Sequence, residues 1–170
     1  MKIIFLIFLF FSSASVANEH EDKVVAAMLE RISQFISYKM DKEEFIICIY
    51  KDEELSETFK EIFHDRNYKG RPIKVKNIKR HSALEGCDIF YVKENSSHIN
   101  SDFIKNSPKY TLLVTDTLSS LEDGFMLALY VEDKKMRFSI NQKAVVDAKL
   151  NVNYRLLKVA SKVINPIKAY

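Results

Sequence analysis

The residues able to do chemistry in this chain are few and scattered. Its four histidines are His20, His64, His81 and His98, and none has a second His or a Cys at metal-ligand spacing. His20 stands beside acids, where weak metal binding and plain solvation are both open readings. The acid groups Glu43-Glu44 and Asp52-Glu53-Glu54 have the character of solvated turns and helix starts. There is no Gly-x-Ser-x-Gly elbow and no Cys-x-x-Cys redox pair. The three glycines, Gly70, Gly86 and Gly124, lie far apart, which excludes a phosphate-binding P-loop and a dinucleotide fingerprint. One constellation resembles a phosphoryl-accepting site: Asp52 and Glu53 after a first strand, Glu94 after a third and Thr115 at the end of a fourth. The third-strand acid is Glu rather than the expected Asp, and capping and turn roles explain the same residues. The sequence therefore predicts no catalytic centre, no cofactor and no metal.

The elements that would position these residues alternate between helix and strand. Val25, Met28, Leu29, Ile32, Phe35 and Ile36 recur at helical spacing and predict a helix over 20–38. Phe45 to Tyr50 reads as a strand buried on both faces. Asp52 can cap a helix whose inner face is Leu55, Phe59, Ile62 and Phe63. Gly70-Arg71-Pro72 is a turn into a strand in which Ile73 and Val75 alternate with Lys74 and Lys76. Further strands are expected at 88–92 and 110–115, with a helix near 100–106 between them. Residues 125–131 and 136–140 then form a hairpin across the charged link 132–135. Asn141 and Asn153 can each cap a closing helix, the last carrying Leu156, Leu157, Ala160, Val163 and Ile164 up to Pro166. The expected fold is α/β: three layers, a mostly parallel sheet with helices on both faces, and a C-terminal β-hairpin.

Composition and the N-terminus set the context. The chain has 170 residues, 47% hydrophobic and 29% charged, with a formal net charge of +3, which suits one domain with a real core. Met1-Lys2, the apolar run Ile3 to Phe11 and the small residues ending Ser15-Val16-Ala17 have the pattern of a cleaved secretory signal. Residues 1–17 are thus read as a signal peptide and 18–170 as a single exported domain, with no segment expected to span a membrane. Outside the cytosol the pair Cys48 and Cys87 favours a disulfide over two buried thiols. Closing a loop of about 40 residues would stabilise the fold by about 4 kcal/mol. From Arg66 through Leu84 there is no acid, while Arg66, Lys69, Arg71, Lys74, Lys76, Lys79 and Arg80 are basic. Nucleic acid is not an expected partner of an exported protein. An edge strand protected by lysines, an acidic protein partner and anionic headgroups remain open.

An ordered set of motifs resembles the periplasmic YfiR/HmsC-like family. It comprises Phe45-Ile46-Ile47-Cys48-Ile49, Gly70-Arg71-Pro72-Ile73-Lys74-Val75 and Leu84-Glu85-Gly86-Cys87-Asp88-Ile89-Phe90-Tyr91-Val92. Leu112 to Asp116, Gly124, Arg137-Phe138-Ser139-Ile140-Asn141 and Leu150-Asn151-Val152 with Leu156-Leu157 follow, so the resemblance runs over about residues 23–164. It implies a homodimeric repressor that binds the periplasmic part of an inner-membrane diguanylate cyclase, released by envelope or redox stress, with effects on cyclic di-GMP and biofilm. It also implies a structural bond between Cys48 and Cys87. Three features depart from the family pattern. Tyr38-Lys39 stands where members carry Trp-Pro, a second cysteine pair is missing, and Phe125 replaces a frequent glycine. Tyr38, Arg71, Arg137 and Asn141 are the expected partner contacts, the last two because they alternate away from Met136, Phe138 and Ile140. A small-ligand-binding protein is the alternative, with Asp52, Lys93 and Asp116 beyond the carboxyl ends of the strands.

Overall fold

A computed structural model describes residues 14–39, 41–93, 99 and 101–165. The expected signal peptide lies outside the described residues as far as position 13; residues 14–17 open the first helix. In chain order the elements are α1 (Ala14–Ser33), β1 (Ile36–Ser37), β2 (Phe45–Tyr50), α2 (Glu53–Phe63), β3 (Asn67–Tyr68), β4 (Arg71–Ile78) and β5 (Ile89–Val92). They continue with α3 (Ser101–Lys105), β6 (Leu112–Thr115), β7 (Leu127–Glu132), β8 (Lys135–Asn141), α4 (Gln142–Asp147), β9 (Asn151–Val152), α5 (Tyr154–Val159) and β10 (Lys162–Ile164).

Eight strands form one sheet in the order β10-β8-β7-β6-β5-β2-β4-β3. Strands β4, β2, β5, β6 and β7 run parallel, and the chain reverses its direction of travel across the sheet between β2 and β5. The two β-hairpins, β3–β4 and β7–β8, add antiparallel pairs at either side. Strands β5 and β6 are buried at every position and β2 at all but Ile46, which is why their sequences are continuous apolar runs. Side chains alternate across the pleat, so Tyr91 meets Phe59 of α2 on one face while Phe90 meets Phe103 of α3 on the other. α1 packs against α2 on the first face. On the second, Ile104 of α3 and Ala144 of α4 line one hollow together with Ala148, Met126 and Leu113. The expected three-layer α/β fold is thus present.

Local chemistry explains most boundaries. Asp52 accepts the Leu55 N–H at 2.9 Å, Asn141 the Ala144 N–H at 3.1 Å and Asn153 the Arg155 N–H at 2.9 Å, so all three expected caps form. In the β3–β4 turn Lys69 and Gly70 both have positive φ, 48° and 85°. The β7–β8 turn repeats this with Asp133 at 50° and Lys134 at 59°. These are the mirror-image turns that match strand twist, and the second is made without glycine. Gly124 (φ +112°) has a different reason: a Cβ there would lie 2.9 Å from Ile104 Cγ2.

Two helix expectations are corrected. The first helix stops at Ser33, because Ile36 pairs with Val152 of β9 and Phe35 closes a turn onto Ile32. The last helix stops at Val159. Val163 and Ile164, placed on its stripe by spacing, form β10 alongside Ile140 and Asn141 of β8. The hairpin is also tighter than expected, since Glu132 and Lys135 pair and only Asp133-Lys134 turn.

Candidate functional site

Three groups of polar residues stand out once the chain is folded. The first lies at the amino ends of β2, β4 and β5. The disulfide Cys48–Cys87, with Cα atoms 5.9 Å apart, ties the middle of β2 to the residue before Asp88. Asp88 is 1% exposed. Its carboxylate accepts the Ile46 N–H at 2.8 Å and faces Lys42 Nζ at 3.2 Å and Arg71 Nη1 at 3.8 Å. Arg71 is 6% exposed, with its guanidinium carbon 5.2 Å from the Phe45 ring centre and 5.4 Å from that of Tyr68. Those two rings stack at 4.3 Å, and Tyr38 meets both edge-on at 5.0 and 5.3 Å. The Tyr68 hydroxyl donates to Ile36 C=O at 2.8 Å, whereas the buried Tyr38 hydroxyl has no partner among the described residues. Burial is the main cause that pushes the Tyr38 phenol well above its ordinary range, with the nearby Tyr68 and Asp88 adding to it. The Arg71 guanidinium is thus packed against two aromatic rings and faces a carboxylate, with its Nε and Nη2 buried and without a hydrogen-bond partner among the described residues.

The second group lies at the carboxyl ends of β2, β5 and β6. Asp52 is committed to capping α2. Lys93 Nζ sits 2.6 Å from Asp22 of α1, which is itself buried. Asp116 accepts from the Thr117 hydroxyl at 3.1 Å. Burial is the main cause that raises the Tyr91 phenol well above its ordinary value, and Asp116, Asp22, Glu21 and Asp52 around it add to that shift. Thr115, from the phosphoryl-site reading, is buried and accepts the Thr117 N–H through its own hydroxyl. Among the described residues no group of three His, Cys, Asp or Glu could hold a metal; Glu94 and His98 lie outside them.

The third group is on the hairpin. The face expected to point outward is covered: Ser139 and Asn141 are buried, because β8 lies between β7 and β10 and the 118–121 turn lies over it. Asn141 donates to Leu121 C=O at 2.8 Å and caps α4. Tyr130 and Ser139 share a hydroxyl hydrogen bond of 3.0 Å. Arg137 is partly exposed and pairs with Glu132 at 2.8 Å. Of the four expected contact residues, Tyr38, Arg71 and Asn141 are buried in the fold of one chain, and Arg137 is partly exposed.

Sequence reasoning missed Asp88, Lys42, Tyr68 and Asp22. Asp22 left a signal: it heads the stripe Asp22, Val25, Ala26, Leu29, an acid on an otherwise apolar helix face. Lys42 left none, because its partners are 44 and 46 positions away.

Comparison with curated proteins finds no match. Among solved structures, a conserved domain protein from Vibrio cholerae O1 biovar El Tor superposes with a TM-score of 0.59 at 14% identity, over 84% of this chain and 59% of that one. A Streptococcus pneumoniae structure described as an ABC domain in complex with L-Trp gives 0.49 at 11% identity, over 82% of this chain and 59% of that one. The chain thus spans about three fifths of these structures, and the likeness to the Vibrio protein is one of fold. The model of the YfiR/HmsC-like family matches residues 22–161. That match runs from the buried Asp22 of α1 through both cysteines to the end of α5, and by it the chain belongs to the YfiR/HmsC-like family.

Proposed function

We propose that this protein is a periplasmic regulator that binds the periplasmic part of an inner-membrane diguanylate cyclase and holds it inactive. The observation that carries the reading is the family match over residues 22–161, a span that includes nearly all the described sheet. The disulfide suits an oxidising compartment, and no described helix is long and apolar enough to cross a membrane. Residues 18–170 form the exported domain after loss of the 1–17 leader, and the working form is a homodimer.

The mechanism is regulatory rather than catalytic. A repressor that prefers the inactive conformation of its partner shifts the partner's equilibrium by the difference in affinity. Turning a cyclase from almost fully on to almost fully off takes about 5.5 kcal/mol of such preference. Envelope stress would act by lowering the amount of folded, oxidised repressor.

Co-purification with the host's membrane cyclases, alongside cyclic di-GMP in a deletion strain, tests this. The reading expects one cyclase to be retained and cyclic di-GMP and biofilm to rise on deletion. No retained cyclase with an unchanged cyclic di-GMP level would overturn it. Sedimentation at a mass above twice the chain, or at the mass of one chain, would overturn the dimer alone.

A further inference from the structure

The sheet ends on one side in a rim that is only partly covered. β3 pairs with β4 at Tyr68↔Arg71 and Asn67↔Pro72 and goes no further. The Ile73 N–H turns outward to Arg66 C=O at 3.0 Å, while Ile78 C=O turns inward to the Lys51 N–H at 3.0 Å. Strand alternation therefore directs the N–H and C=O of Val75 and Asn77 outward, and no described strand pairs with them there. The open stretch from Ile73 to Ile78 is about 17–20 Å long, enough for one added strand. It carries no bulge and no proline beyond Pro72, so the exposed Lys74 and Lys76 are what guards it, and they guard it against like-charged strands rather than acidic ones.

Charge selects what can pair there. Lys74, Lys76, Lys79 and Arg80 are exposed and form no ion pair among the described residues. Two hollows flank the rim. One of about 270 Å³ is lined by Phe63, Ile73 and Val75 with Lys60 and Lys74; the other, about 310 Å³, by Lys51, Asn77, Lys79 and Glu53. Glu53, the acid in the second, is held by the Asn77 amide at 2.7 Å. A second copy of this chain would bring lysine against lysine, so the rim disfavours self-pairing. A lipid headgroup would meet the cations and leave four outward backbone groups unused. A strand with acidic side chains would satisfy both.

We propose that the outer edge of β4 is a docking edge for an extended, acidic segment of a protein partner, added to the sheet as a further strand. Main-chain hydrogen bonds to Val75 and Asn77 would hold it, the lysines would select acids, and the Phe63 hollow would take one apolar side chain. The proposal rests on the reading of the chain as a regulator that acts through a protein partner.

The test uses the oxidised protein, a short synthetic peptide alternating Glu with Val, its Lys-for-Glu counterpart, and phosphatidylglycerol vesicles, read by amide NMR. The Glu peptide should bind and shift the Val75 and Asn77 amides, and the Lys peptide should not. Val75→Pro removes an outward donor without touching the ladder to β2, and should weaken binding at least tenfold. Lys74→Glu with Lys76→Glu should do the same and carries the test if the proline variant fails to fold. No peptide binding, equal binding of both peptides, shifts confined to other surfaces, or binding of vesicles alone would overturn the proposal. Failure of the peptide beside a retained cyclase removes the edge only. A bound peptide beside unchanged cyclic di-GMP on deletion removes the regulatory reading and leaves the edge.

Discussion

Asp88 shows how much one buried carboxylate can organise. It satisfies a backbone N–H of β2 and balances two cations, one of them buried against the stacked Phe45 and Tyr68 rings. Asp88→Ala should cost about 3–5 kcal/mol in urea unfolding, since it strands the Arg71 charge in the interior. Asp88→Asn should cost less, because its amide oxygen can still accept from Ile46. Tyr38 offers the opposite case, a buried hydroxyl with no described partner. Its phenol is raised in the folded state above the ordinary value of 10. The stability this contributes is fully present below pH 10 and is lost as pH climbs above it, because the unfolded chain then sheds a proton that the folded chain retains. Tyr38→Phe should leave neutral-pH stability within about 1 kcal/mol of its value and make the alkaline fall in Tm shallower, checked by melts from neutral to alkaline pH. At this scale the caps Asp52, Asn141 and Asn153 were readable because donor and acceptor lie two or three residues apart. The Arg71 clamp was not, because its partners come from strands that meet only in the sheet.

Elements were readable where one periodicity had one explanation. Phe45–Tyr50 reads as a doubly buried strand and is one. Val163 and Ile164 fit a helical stripe equally well, and the free edge of β8 decided for a strand, reinforced by the Ser161 N–H donating to Phe138 C=O at 2.8 Å. Ser139 and Asn141 show the same limit, since alternation marks two faces without saying whether both are covered. The β7–β8 turn is a local rule broken. Lys134 holds φ at 59° where glycine is at ease. Lys134→Gly should raise stability by about 1 kcal/mol in denaturant melts, with the m-value unchanged. A loss of stability would mean that the Lys134 side chain contributes more than its backbone costs.

Across the whole molecule the disulfide is the longest covalent tie, joining strands on the two sides of the sheet's reversal point across 39 positions. Reduction, or Cys48→Ala with Cys87→Ala, should cost about 4 kcal/mol, read as a shift of the urea midpoint between oxidised and reduced protein. If repression follows the folded state, the double variant should raise cyclic di-GMP in proportion to the unfolded fraction. A variant that folds and represses fully would separate the structural bond from any redox switch. By itself the sequence determined the α/β class, the strands β2, β4, β5 and β6, the hairpin, the three caps, the cysteine pair and the basic stretch. These follow from spacing, from burial of continuous apolar runs and from hydrogen bonds between near neighbours. Only the tertiary structure decided that Arg71 and Asn141 are interior, that Asp22 and Asp88 are the buried acids among the described residues, and that the lysines of β4 border an open edge. The physical reason is that burial and pairing belong to surfaces made by several segments at once, and no window of one chain contains them.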